Sequence, residues 1–177
     1  MQRSRGAAAR FWAVVIGIVG VDLVTKAIAV ANLVPHYSVR RVVGDFVQFR
    51  LVYNPGAAFG LYLGSYSRWI FMALTFAALV VLWRLYRTTR PQDGARLLAL
   101  ALVCAGAVGN LVDRVRSERG VVDFIDVGIG SLRWPTFNVA DMAVSVGAFL
   151  LAWVLWGEEQ HATADVSTAA TARSDAK

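Results

Sequence analysis

FNVADMAVSVGAFLLAWVLW, residues 137–156, opens on an asparagine and an aspartate three positions apart and then runs fifteen residues without a charge. An α-helix needs about 20 mostly apolar residues to cross the ~30 Å hydrocarbon core of a bilayer. The stretch therefore reads as a transmembrane helix whose first turn carries Asn138 and Asp141 on one face. At 1.5 Å per residue, Asp141 lies about 6 Å below the start of the span. A carboxylate there is favoured by the helix dipole alone. Asn138 beside it, and the long apolar continuation, ask for more than a cap.

Three further apolar segments precede it, at residues 11–31, 69–85 and 97–112. The second and third are short for a crossing, so their ends are expected to tilt, snorkel or sit in thinned bilayer. Of the 177 residues, 57% are hydrophobic and 17% charged. Soluble domains carry about 25% charged residues, so composition excludes an ordinary soluble protein. The net charge of +6 does not point to nucleic acid, because the basic residues sit at the ends of apolar segments and not in a dense tract. The chain reads as one membrane domain over residues 1–157, followed by an Ala-, Thr- and Ser-rich tail at 158–177 expected to be disordered and cytoplasmic.

A cleaved leader is the competing account of the N-terminus. Its apolar run exceeds the ~7–15 residues of a signal peptide and carries Asp22 and Lys26, so it is taken as a retained span. Arg3, Arg5 and Arg10 precede the first span, and Arg84, Arg87, Arg90 and Arg96 crowd the link between the second and third. Both regions are expected to be cytoplasmic, with both termini inside. Arg40, Arg41, Arg50, Arg68, Arg114, Arg116, Arg119 and Arg133 then fall in outer loops and blur the signal. In the first outer segment, about 33–68, Val47, Phe49, Leu51 and Tyr53 alternate with Gln48, Arg50 and Val52. That period of two predicts a half-buried strand, closed by the turn signal Asn54-Pro55-Gly56. A small sheet on the outer membrane face follows.

Charges inside a bilayer cost about 2.5–3.5 kcal/mol on insertion scales, so they face a cavity or a partner. Asp22 and Lys26, four apart in DLVTK, share a helix face and can pair. That pair fits a structural buttress as well as an active-site role. Asn110, Asp113 and Arg114 close the third span in GNLVDR (109–114), on one side of its end. Asp123 and Asp126 follow in VVDFID (121–126), where apolar flanks draw Asp123 back toward the membrane. Asp123 and Asp141 thus both fall near the outer interface. Two carboxylates sharing a site hold one proton between them, and that is the requirement for aspartyl proteolysis. Cys104 is a lone cysteine in an apolar run, and His36 and His161 are far apart without a second ligand nearby, so neither metal nor cofactor is expected.

DLVTK, NPGAAFG (54–60), GNLVDR with VVDF, and FNVAD occur in this order over roughly residues 11–157. In that arrangement the chain resembles the bacterial lipoprotein signal peptidases (signal peptidase II). The resemblance implies a mainly α, polytopic fold: a four-transmembrane-helix bundle with a small extracytoplasmic β-sheet and a short interfacial helix. It implies Asp123 and Asp141 as the catalytic pair. Asn110, Asp113, Arg114, Asn138, Ala140, Asp22 and Lys26 would form the supporting polar cluster, and Asn54, Gly56 and Phe59 would contact substrate or inhibitor. The implied substrate is a diacylated prolipoprotein, cut just before its lipidated cysteine. The partners expected are that substrate and membrane lipids, the enzyme is expected to be monomeric, and its place is the bacterial cytoplasmic membrane.

A Ser–Lys dyad lacks a poised serine, a Ser–His protease lacks a histidine in a span, and a zinc protease lacks its His-Glu motif. The rival from a different class is a small transporter or proton channel lined by Asp22, Lys26, Asp113 and Asp141. Against it stands the gathering of the acids at one membrane face.

Overall fold

The computed structural model describes the backbone at residues 5–33, 39–56 and 63–175, and side chains over the same residues except 159 and 161–175. Four helices in it are long and apolar enough to cross a membrane. They are α1 (Arg5–Asn32), α2 (Ser67–Thr88), α3 (Gly94–Arg116) and α4 (Val139–Asp175). The chain is thus mainly helical, with a small antiparallel sheet at one end of the bundle.

The second and third spans are longer than their apolar runs. α2 has 22 residues and α3 has 23, about 33–35 Å at 1.5 Å per residue. Polar residues complete the helices at each end, and Asp93 caps α3 by accepting from the Arg96 N–H at 3.0 Å. α4 begins at Val139, within the fourth apolar segment. The helix runs on to Asp175. An Ala-rich sequence added to an existing helix pays no new nucleation cost, so high propensity suffices to extend it.

α3 packs against each of the other three spans. Its buried stripe of Ala99, Ala101, Ala105, Gly106 and Gly109 lets backbones approach closely. At one end of the bundle, Phe11 of α1 lies against Tyr86 of α2 with ring centroids 4.0 Å apart, over Val15, Leu82, Leu97 and Leu100. The outward surfaces of the spans carry exposed Ile16, Trp69, Phe76, Phe149 and Trp153, as lipid-facing helices do.

The sheet has the order β1 (Arg40–Val43), β2 (Val47–Asn54), β3 (Val121–Ile129), β4 (Leu132–Arg133), all antiparallel. β2 is the strand read from alternation. β3 follows directly from the end of α3, and its central pairing sets Val52 opposite Asp123 and Asn54 opposite Val121. A second core of Ala29, Leu33, Leu51, Val122 and Phe124 joins the last turns of α1 to the sheet. Outside the spans, the short helical element among the described residues is a single 3₁₀ turn at Gly64–Tyr66 leading into α2. A separate interfacial helix is not among them.

Candidate active site

The ends of α1 and α3, the start of α4 and the middle of β3 meet where the sheet covers the bundle. β3 alternates, so Val122 and Phe124 enter the second core while Asp123 turns to the other face. There Asp123 lines a cavity of about 520 Å³ together with Asp141, Asn54, Asn110 and Arg114. Asp123 is only 2% exposed.

Asn138 joins the two acids. Its side-chain N–H groups donate to Asp123 Oδ1 at 2.7 Å and to the Val122 carbonyl at 3.2 Å. Its Oδ1 accepts from the Asp141 backbone N–H at 2.9 Å, and its own backbone N–H donates to Asp141 Oδ2 at 3.2 Å. This is the reciprocal arrangement of a capping box, with asparagine and aspartate in the two roles. Asn110 donates to Asp141 Oδ1 at 2.8 Å. Asn54, diagonal to Asp123 on the same face of the β2–β3 ladder, donates to Asp123 Oδ2 at 3.1 Å. Its own Oδ1 accepts from the Gly56 N–H at 3.0 Å, which fixes the turn read at 54–56.

Lys26 supports this from below. Its ammonium has three donors, and they meet Asp22 at 2.8 Å, Asp113 at 2.8 Å and Asn110 Oδ1 at 3.0 Å. Asp113 reaches on to the Val122 N–H at 3.2 Å, one residue from Asp123. Asp22 accepts the Ala140 N–H at 2.8 Å, one residue from Asp141. Each buttressing acid therefore grips the backbone beside one acid of the pair. Arg114 donates to the Gly56 carbonyl at 2.8 Å and to the Asn110 carbonyl at 3.3 Å. It holds the turn after Asn54 against α3.

Burial pushes the Asp123 carboxyl up to about 7, and the charge of Asp141 adds to the rise. Hydrogen bonds from Asn54 and Asn138 and the charge of Lys26 offset part of it. Asp123 and Asp141 thus line one cavity, close enough for the charge of one to raise the carboxyl of the other.

The structure thus brings together Asp22, Lys26, Asn54, Gly56, Asn110, Asp113, Arg114, Asp123, Asn138, Ala140 and Asp141. Phe59 lies outside the described residues. The four residues of the transporter alternative meet in one knot at one end of the bundle and are not strung along its length. Sequence reasoning missed the opposite wall of the cavity, formed by Trp134, Pro135, Thr136, Phe137, Met142 and Ser145. It also gave no role to Asp126, which is buried and paired with Arg133 at 2.7 Å and Arg50 at 3.2 Å. Arg50 goes on to Thr136 at 3.1 Å, tying that wall to the sheet. A carboxylate and two cations scattered over 83 positions give no spacing signal.

A family model described as signal peptidase (SPase) II matches residues 14–157. The chain is 39% identical over 152 residues to the lipoprotein signal peptidase of Polynucleobacter necessarius, covering 84% of this chain and 88% of that one. It is 43% identical over 144 residues to that of Rhodococcus jostii, covering 78% and 68%. A solved structure described as a bacterial membrane enzyme, obtained by the in meso method at 2.3 Å resolution, superposes with a TM-score of 0.77 at 28% identity, over 86% of this chain and 91% of that one. A second, at 1.9 Å resolution, superposes at 0.70 with 30% identity, over 83% and 92%.

Proposed function

The chain belongs to the signal peptidase II family, and from that premise we propose that it removes signal peptides from diacylglyceryl-modified prolipoproteins with Asp123 and Asp141 as an aspartyl pair. The observation that carries this reading is the single residue, Asn138, hydrogen-bonded to both acids at the wall of one cavity. The shared proton resides on Asp123, whose burial favours the neutral form. Asp141 accepts from Asn110 and from the backbone N–H of Asn138 at the positive end of α4.

Asp141 takes a proton from a water between the carboxyls as the water oxygen attacks the scissile carbonyl carbon. Asp123 gives its proton to the carbonyl oxygen. The tetrahedral species then collapses, the C–N bond breaks, and the proton gained by Asp141 passes to the leaving nitrogen. One proton remains on the pair, now returned to Asp123 from the product carboxyl side, and the enzyme is unchanged. Asn54 and Asn138 keep the Asp123 carboxyl in plane with the reacting atoms.

The substrate's chemistry suits the location. A diacylated cysteine keeps the scissile bond at headgroup level, and Asp141 lies two residues, about 3 Å, inside the start of α4. In this reading both termini are cytoplasmic, the sheet is extracytoplasmic, and the enzyme acts as a monomer in the bacterial inner membrane. The test is reconstitution of the purified chain in liposomes with a prolipoprotein, diacylated or not. Release of a product beginning at the lipidated cysteine, from the diacylated form only and blocked by globomycin, supports the proposal. Equal cleavage of the unlipidated precursor, or none of either, rejects it.

A further inference from the structure

We propose that the paired tips of the two β-hairpins insert into the phospholipid leaflet on the sheet side of the membrane, as an apolar anchor beside α4. The tips are Val43-Gly44-Asp45-Phe46, between β1 and β2, and Ile129-Gly130-Ser131-Leu132, between β3 and β4. Gly44 and Gly130 have φ of 49° and 55°, the left-handed conformation that tight hairpin turns require. Each glycine-bearing turn is flanked by bulky apolar residues where hairpins in water carry polar ones. Leu132 is 82% exposed and Ile129 75%, with Val43 and Phe46 also more than half exposed.

The tips act as one surface. The Gly128 N–H donates to the Phe46 carbonyl at 3.0 Å, and Arg133 donates to the Asp45 carbonyl at 2.7 Å. They also project past the bundle. β3 meets the chain entering α4 through the Ile125–Phe137 bridge, two residues before α4 begins. It then continues four residues to Ile129, about 13 Å at 3.3 Å per residue. β1 and β4 pack chiefly on their neighbouring strands and not on helices.

Lipid is the occupant because the apolar surface continues onto α4. Exposed Trp134, which follows β4, borders the same cavity as exposed Met142 and Val146 of α4. A tryptophan between an apolar tip and a spanning helix is the usual marker of the membrane interface. Arg40 is exposed on the adjoining β1, where a cation meets headgroup phosphates, and Arg41 beside it neutralises Asp45 of the tip at 2.8 Å. The anchor fixes the tilt of the sheet, and with it the depth of β3, whichever residues carry the chemistry.

The test uses full-length protein with Cys104→Ser, carrying Leu132→Cys labelled with an environment-sensitive fluorophore, in liposomes of phosphatidylcholine and phosphatidylglycerol. Phe46→Cys serves as a second tip position, and Glu118→Cys, whose native side chain is 94% exposed, as the aqueous control. The proposal expects blue-shifted emission at both tip positions, quenched by lipids bearing a nitroxide near the headgroup, and iodide-quenched emission at 118. These signals should not change when protein is diluted 100-fold in lipid. Tip labels quenched by iodide as strongly as the control overturn the proposal. So does a blue shift that disappears on dilution, which would assign the surface to a second copy of the chain. Neither readout involves cleavage, so the result is independent of the catalytic proposal.

Discussion

The side-chain amide of Asn138 donates to Asp123 Oδ1 at 2.7 Å, joining the first turn of α4 to β3 across fifteen residues of chain. The same residue is bonded in both directions to Asp141. One buried side chain therefore links the two acids directly, beside the bonds that Asn54 and Asn110 make to each separately.

Asn138→Ala is expected to lower kcat about 100-fold, the scale of an ångström-level misplacement of reacting groups. It leaves Asp123 Oδ1 without this donor in a buried site, which costs about 1–3 kcal/mol of stability. The check is steady-state kinetics with a thermal unfolding curve. Because the residue acts through the acids, the loss should fall on kcat more than on KM.

The protonation of Asp123 sets a pH dependence. Its carboxyl is raised from the ordinary 3.8 to about 7. The folded state therefore holds a proton that the unfolded chain releases, and the associated stability is complete below about 3.8 and lost as pH rises through about 7. Cleavage by the free enzyme should fall over the same alkaline limb as the shared proton leaves. Infrared spectroscopy of the carboxyl stretch should show its loss near neutrality. Asp141→Asn removes a repelling charge, so the midpoint should move down; an upward move would contradict the assigned coupling.

Gly109 admits Asp22 to the cluster. A Cβ there would lie 2.6 Å from Asp22 Oδ2 and 3.2 Å from the Ala140 Cβ. Gly109→Ala should therefore displace the acid that holds the Ala140 N–H, destabilise by about 1–3 kcal/mol and depress activity. Gly20→Ala, which meets nothing within 4 Å, should do neither. Paired melting and activity measurements distinguish the two.

Lys26→Met would leave Asp22 and Asp113 buried without their cation. Breaking such a pair by removing one partner costs about 3–5 kcal/mol. Adding Asp22→Asn and Asp113→Asn to that variant should recover part of the melting temperature, since no orphaned charge remains, while activity stays low. Recovery of activity along with stability would show that the knot matters only for folding.

The spans were legible because apolar length leaves few alternatives, and β2 because its apolar residues alternate, although only Leu51 among them is fully buried. β3 was not, because Val121 to Phe124 and Asp126 are all buried, and a strand covered on both faces loses the period of two. Asp123 and Asp141 stood out as carboxylates with apolar flanks. The Asp126 ion pairs were not, since they depend on strand register and on the segment returning toward α4.

Four of the eight arginines that blurred the orientation signal have structural employment. Arg50 and Arg133 neutralise Asp126, Arg114 holds the Gly56 carbonyl, and Arg68 donates to the Arg114 carbonyl at 2.7 Å, closing the end of α3. Composition counts all cations alike; packing separates those held by the fold from those facing headgroups.

The most direct measurement replaces each acid in turn. Asp123→Asn and Asp141→Asn, each confirmed folded in liposomes by its melting curve, are assayed for cleavage of a diacylated prolipoprotein. The account predicts a loss in both of at least 100-fold, the lower end of what a positioned acid or base contributes. Cleavage within a few-fold of the parent by either variant would contradict it.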